Sequence, residues 1–290
     1  MPTSVVIAAH NEEAVLARCL DALLQDALPG ELEIVVVCNG CTDRTADIAR
    51  RYEDRVAVVE VEKPSKTGAL NLGDARVRGF PRYYVDADVR LPITSVRRIN
   101  ARLAAEHAPA ASPVMSLDID ACSLAVRAYY RIWLRLPYVR EGMIGVGVYA
   151  LSEDGRRRFG SFPDVIADDG YVRMLFSPEE RIRVDNAPVR VYAPRSLPDL
   201  IRIKTRSRLG RYELGRRFPD LVRRERGTKS YRSVGRTILV RPWLWPAAAL
   251  YAAVVVQTSR RARRQAASID EYVWESDRSS RTSDRGESCP

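Results

Sequence analysis

Four short apolar, β-branched runs recur through the first 88 residues, and each is followed by a polar cluster. The runs are Ser4–Ala9, Glu33–Cys38, Val56–Glu62 and Arg82–Val85. Runs of this length and composition are typical of strands that are buried on both faces of a sheet. Because helical patterns separate the runs, the sequence predicts a parallel, doubly wound α/β fold.

The segments between and after these runs predict helices. In the first of them, Val15, Leu16, Cys19, Leu20 and Leu23 share one stripe, and Asn11 is predicted to be its N-cap residue. The other predicted helices are Asp43–Tyr52, Thr67–Arg78, Val96–Glu106 and Ala121–Leu136. Residues 107–113 predict a loop, Gly142–Leu151 a strand with spaced glycines, and the Arg-rich segment after Pro194 partial helix.

Polar clusters follow three of the predicted strands. They are His10–Glu13, Asn39–Asp43 and Asp86–Asp88. Ligands of open α/β sheets bind outside the carboxyl ends of the strands. The three clusters are therefore expected to face one cleft.

The Asp86-Ala87-Asp88 cluster has the chemistry of a metal site. Two carboxylates separated by one small residue can hold a hard divalent cation that also takes diphosphate oxygens. The same pattern occurs by chance in surface turns, so its place after an apolar strand favours the metal. We expect Mn²⁺ or Mg²⁺ here.

Two other segments allow both a functional and a structural interpretation. Lys66, at the start of a predicted helix, can approach a phosphate or remain a solvated loop lysine. Asp168 and Asp169 can cap a helix, or one of them can act as a general base towards a hydroxyl. The residues alone leave both alternatives open.

Basic charge is concentrated in one segment. The chain carries 47 Lys and Arg against 37 Asp and Glu, whereas residues 195–264 carry 19 basic and four acidic residues. Such a segment attracts phosphates, anionic lipid or nucleic acid equally well.

The five cysteines, scattered through a long chain, do not form the framework of a disulfide-rich secreted protein. Cys38 and Cys41 form a C-x-x-C pattern that we interpret as coincidence, because no second pair completes a zinc site. The N-terminus lacks a basic stretch followed by an apolar one, so we expect no signal peptide and a cytoplasmic protein.

Taken together, the motifs resemble a family-2 inverting glycosyltransferase with the GT-A fold, over roughly residues 3–210. They are, in order, AAHNEE (8–13), CNGCTD (38–43), SKTGALNLG (65–73), DAD (86–88), GVGVYAL (145–151) and ADD (167–169). The resemblance implies a Rossmann-like, mostly parallel sheet flanked by helices. It also implies transfer of a sugar from a nucleotide-diphospho-sugar.

The resemblance implies a role for individual residues. Those expected to bind the nucleotide-sugar are Ala9, Asn11, Glu12, Asn39, Asp43, Lys66 and Asp86. Asp88 falls on the direct metal ligand, supported by Asp86, and Asp169 on the second acid of the family's Glu-Asp pair, its usual catalytic base. Lys204, Arg206 or Arg208 is expected to close over the diphosphate, and residues 145–151 to form the floor beneath the acceptor.

Departures from the family pattern refine this expectation. Asn39 stands where the family often has Asp; its carboxamide can still pair with uracil, so a UDP-sugar is favoured. Asp168 replaces the usual Glu. The Gln-x-x-Arg-Trp motif of processive synthases is absent from the sequence, which favours addition of one sugar by a hexosyltransferase.

We predict three regions: a GT-A catalytic domain (1–210), a basic helical extension (211–265) and a disordered tail (266–290). Within the extension, residues 242–256 are apolar but shorter than the ~20 residues of a spanning helix, and arginines flank both ends. This segment either lies on the inner leaflet, which suits a lipid-linked acceptor in cell-envelope glycan biosynthesis, or packs as a core helix.

Two other functions are weighed against the transferase. A sugar-nucleotide-forming nucleotidyltransferase shares the frame and the metal, but it needs a Gly-rich basic signature that residues 8–13 lack. A nucleic-acid-binding protein using residues 195–264 leaves every acidic cluster unexplained. We therefore expect no nucleic acid partner.

Overall fold

The computed structural model describes residues 1–140, 143, 145–225, 235 and 238–267. Within this part, seven strands form one mixed sheet in the order β3-β2-β1-β4-β6-β5-β7. The strands are β1 (Thr3–Ala9), β2 (Leu32–Asn39), β3 (Val56–Val61), β4 (Arg82–Asp86), β5 (Ala110–Asp118), β6 (Val148–Leu151) and β7 (Arg181–Tyr192). Strands β1 to β4 are parallel, whereas β6 runs antiparallel to β4 and β5.

Helices cover both faces of the sheet, and further helices follow the last strand along the chain. They are α1 (Leu16–Leu24), α2 (Thr45–Arg50), α3 (Lys66–Asp74), α4 (Ile93–Glu106), α5 (Leu124–Trp133), α6 (Pro137–Arg140), α7 (Glu153–Arg156), α8 (Asp168–Met174), α9 (Leu197–Arg217), α10 (Pro219–Glu225) and α11 (Trp245–Gln265).

Side chains of the central strands alternate between two cores. Val5 and Ile7 of β1 pack with α1 and α4 on one face. Val6, between them, packs with Leu70 of α3 and Val172 of α8 on the other. The first four predicted strands and the helices between them are confirmed to within a few residues, because strands buried on both faces have an unambiguous composition.

Asn11 does not cap the first helix, so that prediction is wrong. Helix α1 begins at Leu16, and Asn11 adopts a left-handed backbone conformation with φ of 55°. Its side-chain oxygen accepts a hydrogen bond from the Thr42 backbone N–H at 2.8 Å. The conformation of the segment before α1 therefore depends on its hydrogen bond to the loop after β2 and not on capping of the helix.

The predicted loop at residues 107–113 is also wrong, because Ala110–Asp118 forms β5. This strand pairs with β7, which the sequence did not reveal, and the register shifts between Pro113 and Val114. Because of this register shift, residues 185–187 of β7 have no partner residue in β5. A bulge accommodates proline in a strand, and it breaks the alternation by which a strand is recognised.

The C-terminal helices pack on the rest of the structure. Helix α11 contacts α5 and α9, burying Val254 against the aromatic side chains of α5. Helix α9 runs unbroken across residue 210, and the three-region division remains a prediction. No described helix is long and apolar enough to cross a membrane. The predicted tail lies outside the described residues from 268 onwards, as do residues 226–234, 236 and 237 of the extension.

A buried ionic network lies beneath the cleft. Asp74 accepts hydrogen bonds from Arg82 at 2.7 Å, from Arg156 at 2.7 Å and from the Tyr84 hydroxyl. Burial opposes ionisation of Asp74, but these donors outweigh it and lower its pKa. The network fixes Tyr84, whose ring stacks on Tyr149 at 5.0 Å between centroids.

Candidate active site

The end of β4 and the start of β6 meet at the cleft because these strands are antiparallel. The Asp86 backbone N–H donates to the Gly147 carbonyl at 2.8 Å. Gly147 has a φ of 67°, and a Cβ there would lie 2.7 Å from Val89 and 3.2 Å from the Asp86 carboxylate. Glycine therefore allows the loop before β6 to approach Asp86 closely.

Lys66 joins the end of β4 to the start of α8. Its ammonium contacts the carboxylates of Asp86 at 2.8 Å and Asp168 at 3.0 Å. Burial favours the neutral amine, but the carboxylates of Asp168, Asp86 and Asp169 raise the pKa of Lys66 above its usual value. Of the two interpretations open from sequence, the solvated loop lysine is excluded.

The two acids of α8 have different surroundings. Asp168 is 4% exposed and is paired with Lys66. Asp169 is only partly buried, and its Oδ1 accepts from the Gly170 backbone N–H at 2.7 Å. Burial and the neighbouring Asp168 charge raise the pKa of Asp169 to about 6, although Lys66 acts to lower it. A carboxyl group tuned in this way suits general-base chemistry near neutral pH.

Tyr149 lies in the segment 145–151 that was expected beneath the acceptor, but the sequence analysis did not single it out. It lines the same pocket as Lys66, Asp86, Asp168 and Asp169. The side chain is 5% exposed, and its hydroxyl has no hydrogen-bond partner among the described residues. A buried unpaired hydroxyl costs about 1–3 kcal/mol, which a ligand hydroxyl at this position would offset. A tyrosine within a strand carries no sequence signal for such a role.

Asn39 connects three segments beside the cleft. Its amide donates to the Ala9 carbonyl at 2.8 Å, and its oxygen accepts from the Ser65 backbone N–H at 3.1 Å. The side chain is buried, with 3% exposed. The two ends of the carboxamide thus hold the ends of β1 and β2 and the start of α3 together around the expected nucleobase pocket. Direct pairing of Asn39 with a nucleobase remains a prediction.

The remaining residues of the nucleoside side form two facing turns. Asp43 accepts from the backbone N–H groups of Glu13 at 3.1 Å and Thr45 at 2.9 Å. The Glu12 N–H donates to the Thr45 hydroxyl at 2.7 Å, and Asn11 contacts Thr42. The structure therefore brings Ala9, Asn11, Glu12, Asn39 and Asp43 to the ends of β1 and β2.

Asp86 and Asp88 supply the oxygen donors that a divalent cation prefers. No group of three metal-ligating side chains occurs among the described residues. Mg²⁺ in particular uses one or two carboxylates together with substrate phosphates, so this donor set fits. The Lys66 ammonium occupies one oxygen of Asp86.

Lys204 is not brought to this pocket. Its ammonium lies 4.2 Å from the centroid of the Trp133 ring and close to the rings of Tyr129 and Tyr130. Arg206 lies two residues further along α9 and is partly buried. Neither residue lines the pocket formed by Lys66, Asp86 and the α8 acids.

Residues 4–138 match the family model described as Glycosyl transferase family 2. The matched segment is just under half of the chain. It carries the β1 to β4 strand ends, Lys66, Asp86 and Asp88, whereas Tyr149, Asp168 and Asp169 follow it.

Curated relatives match mainly over the same region. The probable glycosyltransferase YdaM of Bacillus subtilis is 37% identical over 93 residues, covering 29% of this chain and 22% of its own length. Validoxylamine A glucosyltransferase of Streptomyces hygroscopicus subsp. limoneus is 32% identical over 117 residues, covering 39% and 25%. The matched region is thus a quarter or less of the length of these relatives.

Solved structures of the GT-A type share their fold with this chain. The mannosyltransferase PcManGT from Pyrobaculum calidifontis, in complex with GDP-Man and Mn²⁺, has a TM-score of 0.59 at 22% identity, covering 93% of this chain and 80% of its own. Glucosyl-3-phosphoglycerate synthase from Mycobacterium tuberculosis, with Mn²⁺ and UDP-glucose, has a TM-score of 0.55 at 20% identity, covering 74% and 78%.

The raised pKa of Asp169 predicts a pH-dependent gain in stability for Asp169→Asn. Ionising Asp169 costs the folded state free energy above about pH 6 and nothing below the ordinary carboxyl pKa of 3.8. Thermal unfolding at pH 8 should therefore show Asp169→Asn above the wild type by a few degrees, as about 1 kcal/mol corresponds to ~2–4 °C. The gain should shrink as the pH falls from 6 to 4.

Asp54→Asn is the matched control, since Asp54 is an exposed aspartate in the turn before β3. It should leave the melting temperature unchanged at both pH values. An Asp169→Asn protein that melts at or below the wild-type temperature at pH 8 would contradict the raised pKa.

Proposed function

We propose that this protein is an inverting glycosyltransferase that transfers one sugar from a nucleotide-diphospho-sugar to an acceptor hydroxyl. The observation that carries the proposal is the Lys66 ion-pair cluster, which sets Asp169, with its pKa of about 6, beside Asp86 at the strand ends. The family 2 match and the shared fold support the same chemistry.

The residues of the cleft divide into a donor side and an acceptor side. The turns at the ends of β1 and β2 receive the nucleoside, and Asp86 with Asp88 faces the diphosphate. The loop before β6 and Tyr149 form the floor beneath the sugar and the acceptor. The Tyr149 hydroxyl is proposed to bind a sugar or acceptor hydroxyl, because burial keeps its pKa high and the group neutral.

The reaction is a single displacement at the anomeric carbon. The acceptor oxygen forms a bond to this carbon as the bond to the leaving diphosphate oxygen breaks, and the hydroxyl proton passes to Asp169. Because the pKa of Asp169 is about 6, the carboxylate is ionised at neutral pH and still basic enough to take the proton. One base without a nucleophile gives inversion.

A divalent cation, Mn²⁺ or Mg²⁺, is proposed to be held by Asp88 with support from Asp86. When bound, it supplies positive charge to the leaving diphosphate. We propose a UDP-sugar as the donor; the synthase from Mycobacterium tuberculosis that shares this fold was solved with UDP-glucose, whereas the mannosyltransferase was solved with GDP-Man.

The alternatives weighed from sequence are less well supported. A nucleotidyltransferase does not require a carboxyl group with a raised pKa on α8, and the family match favours glycosyl transfer. A nucleic-acid-binding protein does not require an ion-paired acidic cleft at all.

Asp88→Ala is predicted to abolish the Mn²⁺-dependent part of UDP binding while leaving the fold intact. In the wild type, UDP should raise the melting temperature with Mn²⁺ and much less after chelation. The variant should give the same small shift under both conditions. A Mn²⁺-dependent shift equal to that of the wild type would show that Asp88 is not a metal ligand. Repeating the titration with GDP in place of UDP tests which nucleobase the donor carries.

Asp169→Asn is predicted to lower sugar transfer by on the order of 10²–10⁴-fold while donor binding survives, because the amide keeps the shape but loses the basic oxygen. Transfer is measured with the acceptor identified by screening, and binding by titration of UDP. Asp168→Asn serves as the neighbouring control and should affect Lys66 and folding more than the base step. Near-normal transfer by Asp169→Asn would exclude it as the base.

The C-terminal helix is proposed to rest on the cytoplasmic face of the membrane. The turn before it exposes Trp243 (67%), and its outer side exposes Trp245 (53%) and Val256 (48%), although its inner side packs on α5 and α9. Exposed arginines at 260, 263 and 264 follow on the same side. Apolar aromatic side chains beside basic ones are typical of helices that lie in an anionic lipid interface, and a lipid-linked acceptor would be met there.

Flotation with phosphatidylcholine vesicles containing phosphatidylglycerol tests this placement. The double change of Trp243 and Trp245 to Ser should lower the recovered fraction several-fold. Leu28→Ser, which removes an equally exposed apolar side chain (65%) far from α11, should not. Equal recovery of the tryptophan variant and the wild type would argue against membrane contact.

A further inference from the structure

We propose that Lys204, Arg208 and Arg211, here called the basic seam, bind a phosphate group carried by the acceptor. The basic seam lies on α9 where this helix meets α5 and α11. Its role towards an acceptor rests on the proposed transferase function, whereas phosphate binding itself does not depend on turnover.

Lys204 is a cation with aromatic neighbours and no anionic one. Its Nζ lies 4.2 Å from the ring centroid of Trp133, 5.3 Å from that of Tyr130 and 5.7 Å from that of Tyr129. No carboxylate lies within ion-pair distance of Lys204 in the part of the chain that the structure describes. Burial and the two arginines lower the pKa of Lys204 to about 7. A bound anion would relieve this cost.

Arg208 and Arg211 lie one and two turns further along the same face of α9. The Nε of Arg208 donates to the Thr258 hydroxyl of α11 at 2.7 Å. Both guanidinium groups repel the Lys204 ammonium, and both lack an ion pair within the described residues. Three cations thus converge without a counter-charge.

The surrounding helices offer no acid to neutralise them. Helices α5, α6 and α11 contain no Asp or Glu. The two acids of α9 are paired elsewhere, Asp199 with Arg202 at 2.7 Å and Glu213 with Arg217 at 3.1 Å. An external anion is therefore the fitting counter-charge.

Phosphate fits the basic seam better than a carboxylate does. It carries up to two negative charges, and guanidinium groups bind its oxygens in a bidentate manner. The walls beside the cations are the buried rings of Tyr129, Tyr130 and Trp133. Such walls suit a phosphate that is attached to an apolar group.

The Trp133 ring lies between Lys204 of the basic seam and the loop before β6. A Cβ on Gly145 would lie 3.2 Å from the Trp133 ring, whose centroid is 4.2 Å from the Lys204 ammonium. Gly145 is two residues from Gly147, which contacts Asp86. A phosphate at Lys204 therefore belongs to the acceptor side of the cleft and not to the donor diphosphate.

The test compares ligands of matched chain length on the full chain. Octyl phosphate is titrated against octanoate and octanol, with inorganic phosphate as the probe for a free anion. We expect octyl phosphate to bind best, and Lys204→Gln to weaken its binding by at least tenfold. Lys204→Arg should restore binding to within a few fold. Arg202→Gln removes one charge from the exposed side of α9 and should change binding less than twofold.

The outcomes separate the possibilities. Equal affinity for inorganic and octyl phosphate would assign a soluble phosphate acceptor, and a clear preference for octyl phosphate a lipid-type one. Unchanged octyl phosphate binding in Lys204→Gln, or octanol binding as tightly as octyl phosphate, would overturn the proposal. So would a loss of UDP binding in Lys204→Gln, because the cation would then serve the donor. If the wild type binds octyl phosphate but neither UDP nor GDP, the proposed function fails while the phosphate site stands.

Discussion

The Lys66 ammonium contacts the carboxylates of Asp86, at the end of β4, and Asp168, at the start of α8. More than 80 residues separate these two acids in the sequence. Without a cation between them, Asp86, Asp168 and Asp169 would place three carboxylates at one strand end, with nothing to offset their mutual repulsion. The arrangement of the proposed active site depends on this one ion-pair cluster.

The same cluster explains why the neighbouring acids differ. Asp168 is buried and pairs directly with Lys66, whereas Asp169 lines the pocket, and its pKa is raised by partial burial and by the Asp168 charge. Helix α9 holds this pair in place from behind. Its Gly210 lies so close that a Cβ would be 2.8 Å from Ala167, and Glu213 accepts from the Ile166 backbone N–H. One face of α9 thus supports the proposed base, and another carries the basic seam.

The positions of the strand ends could be predicted because they depend on residues that are close together in the sequence. Buried parallel strands are recognised by composition, and the topology of an open α/β sheet fixes which of their ends bind ligands. His10–Glu13, Asn39–Asp43 and Asp86–Asp88 were located in this way. Strands β5 and β7 were not located, since the register shift beside Pro113 interrupts the alternation by which strands are recognised.

The sequence by itself determined the doubly wound frame, the polar strand ends and the acid pair at 168 and 169, because each depends on residues that are close in the chain. Only the tertiary structure decided which of the two acids has a raised pKa. It also decided that Tyr149 lines the pocket and that Lys204 lies outside it. Those properties depend on burial and on charges from distant elements. The effect of a charge falls with distance through the fold, and sequence separation does not record that distance.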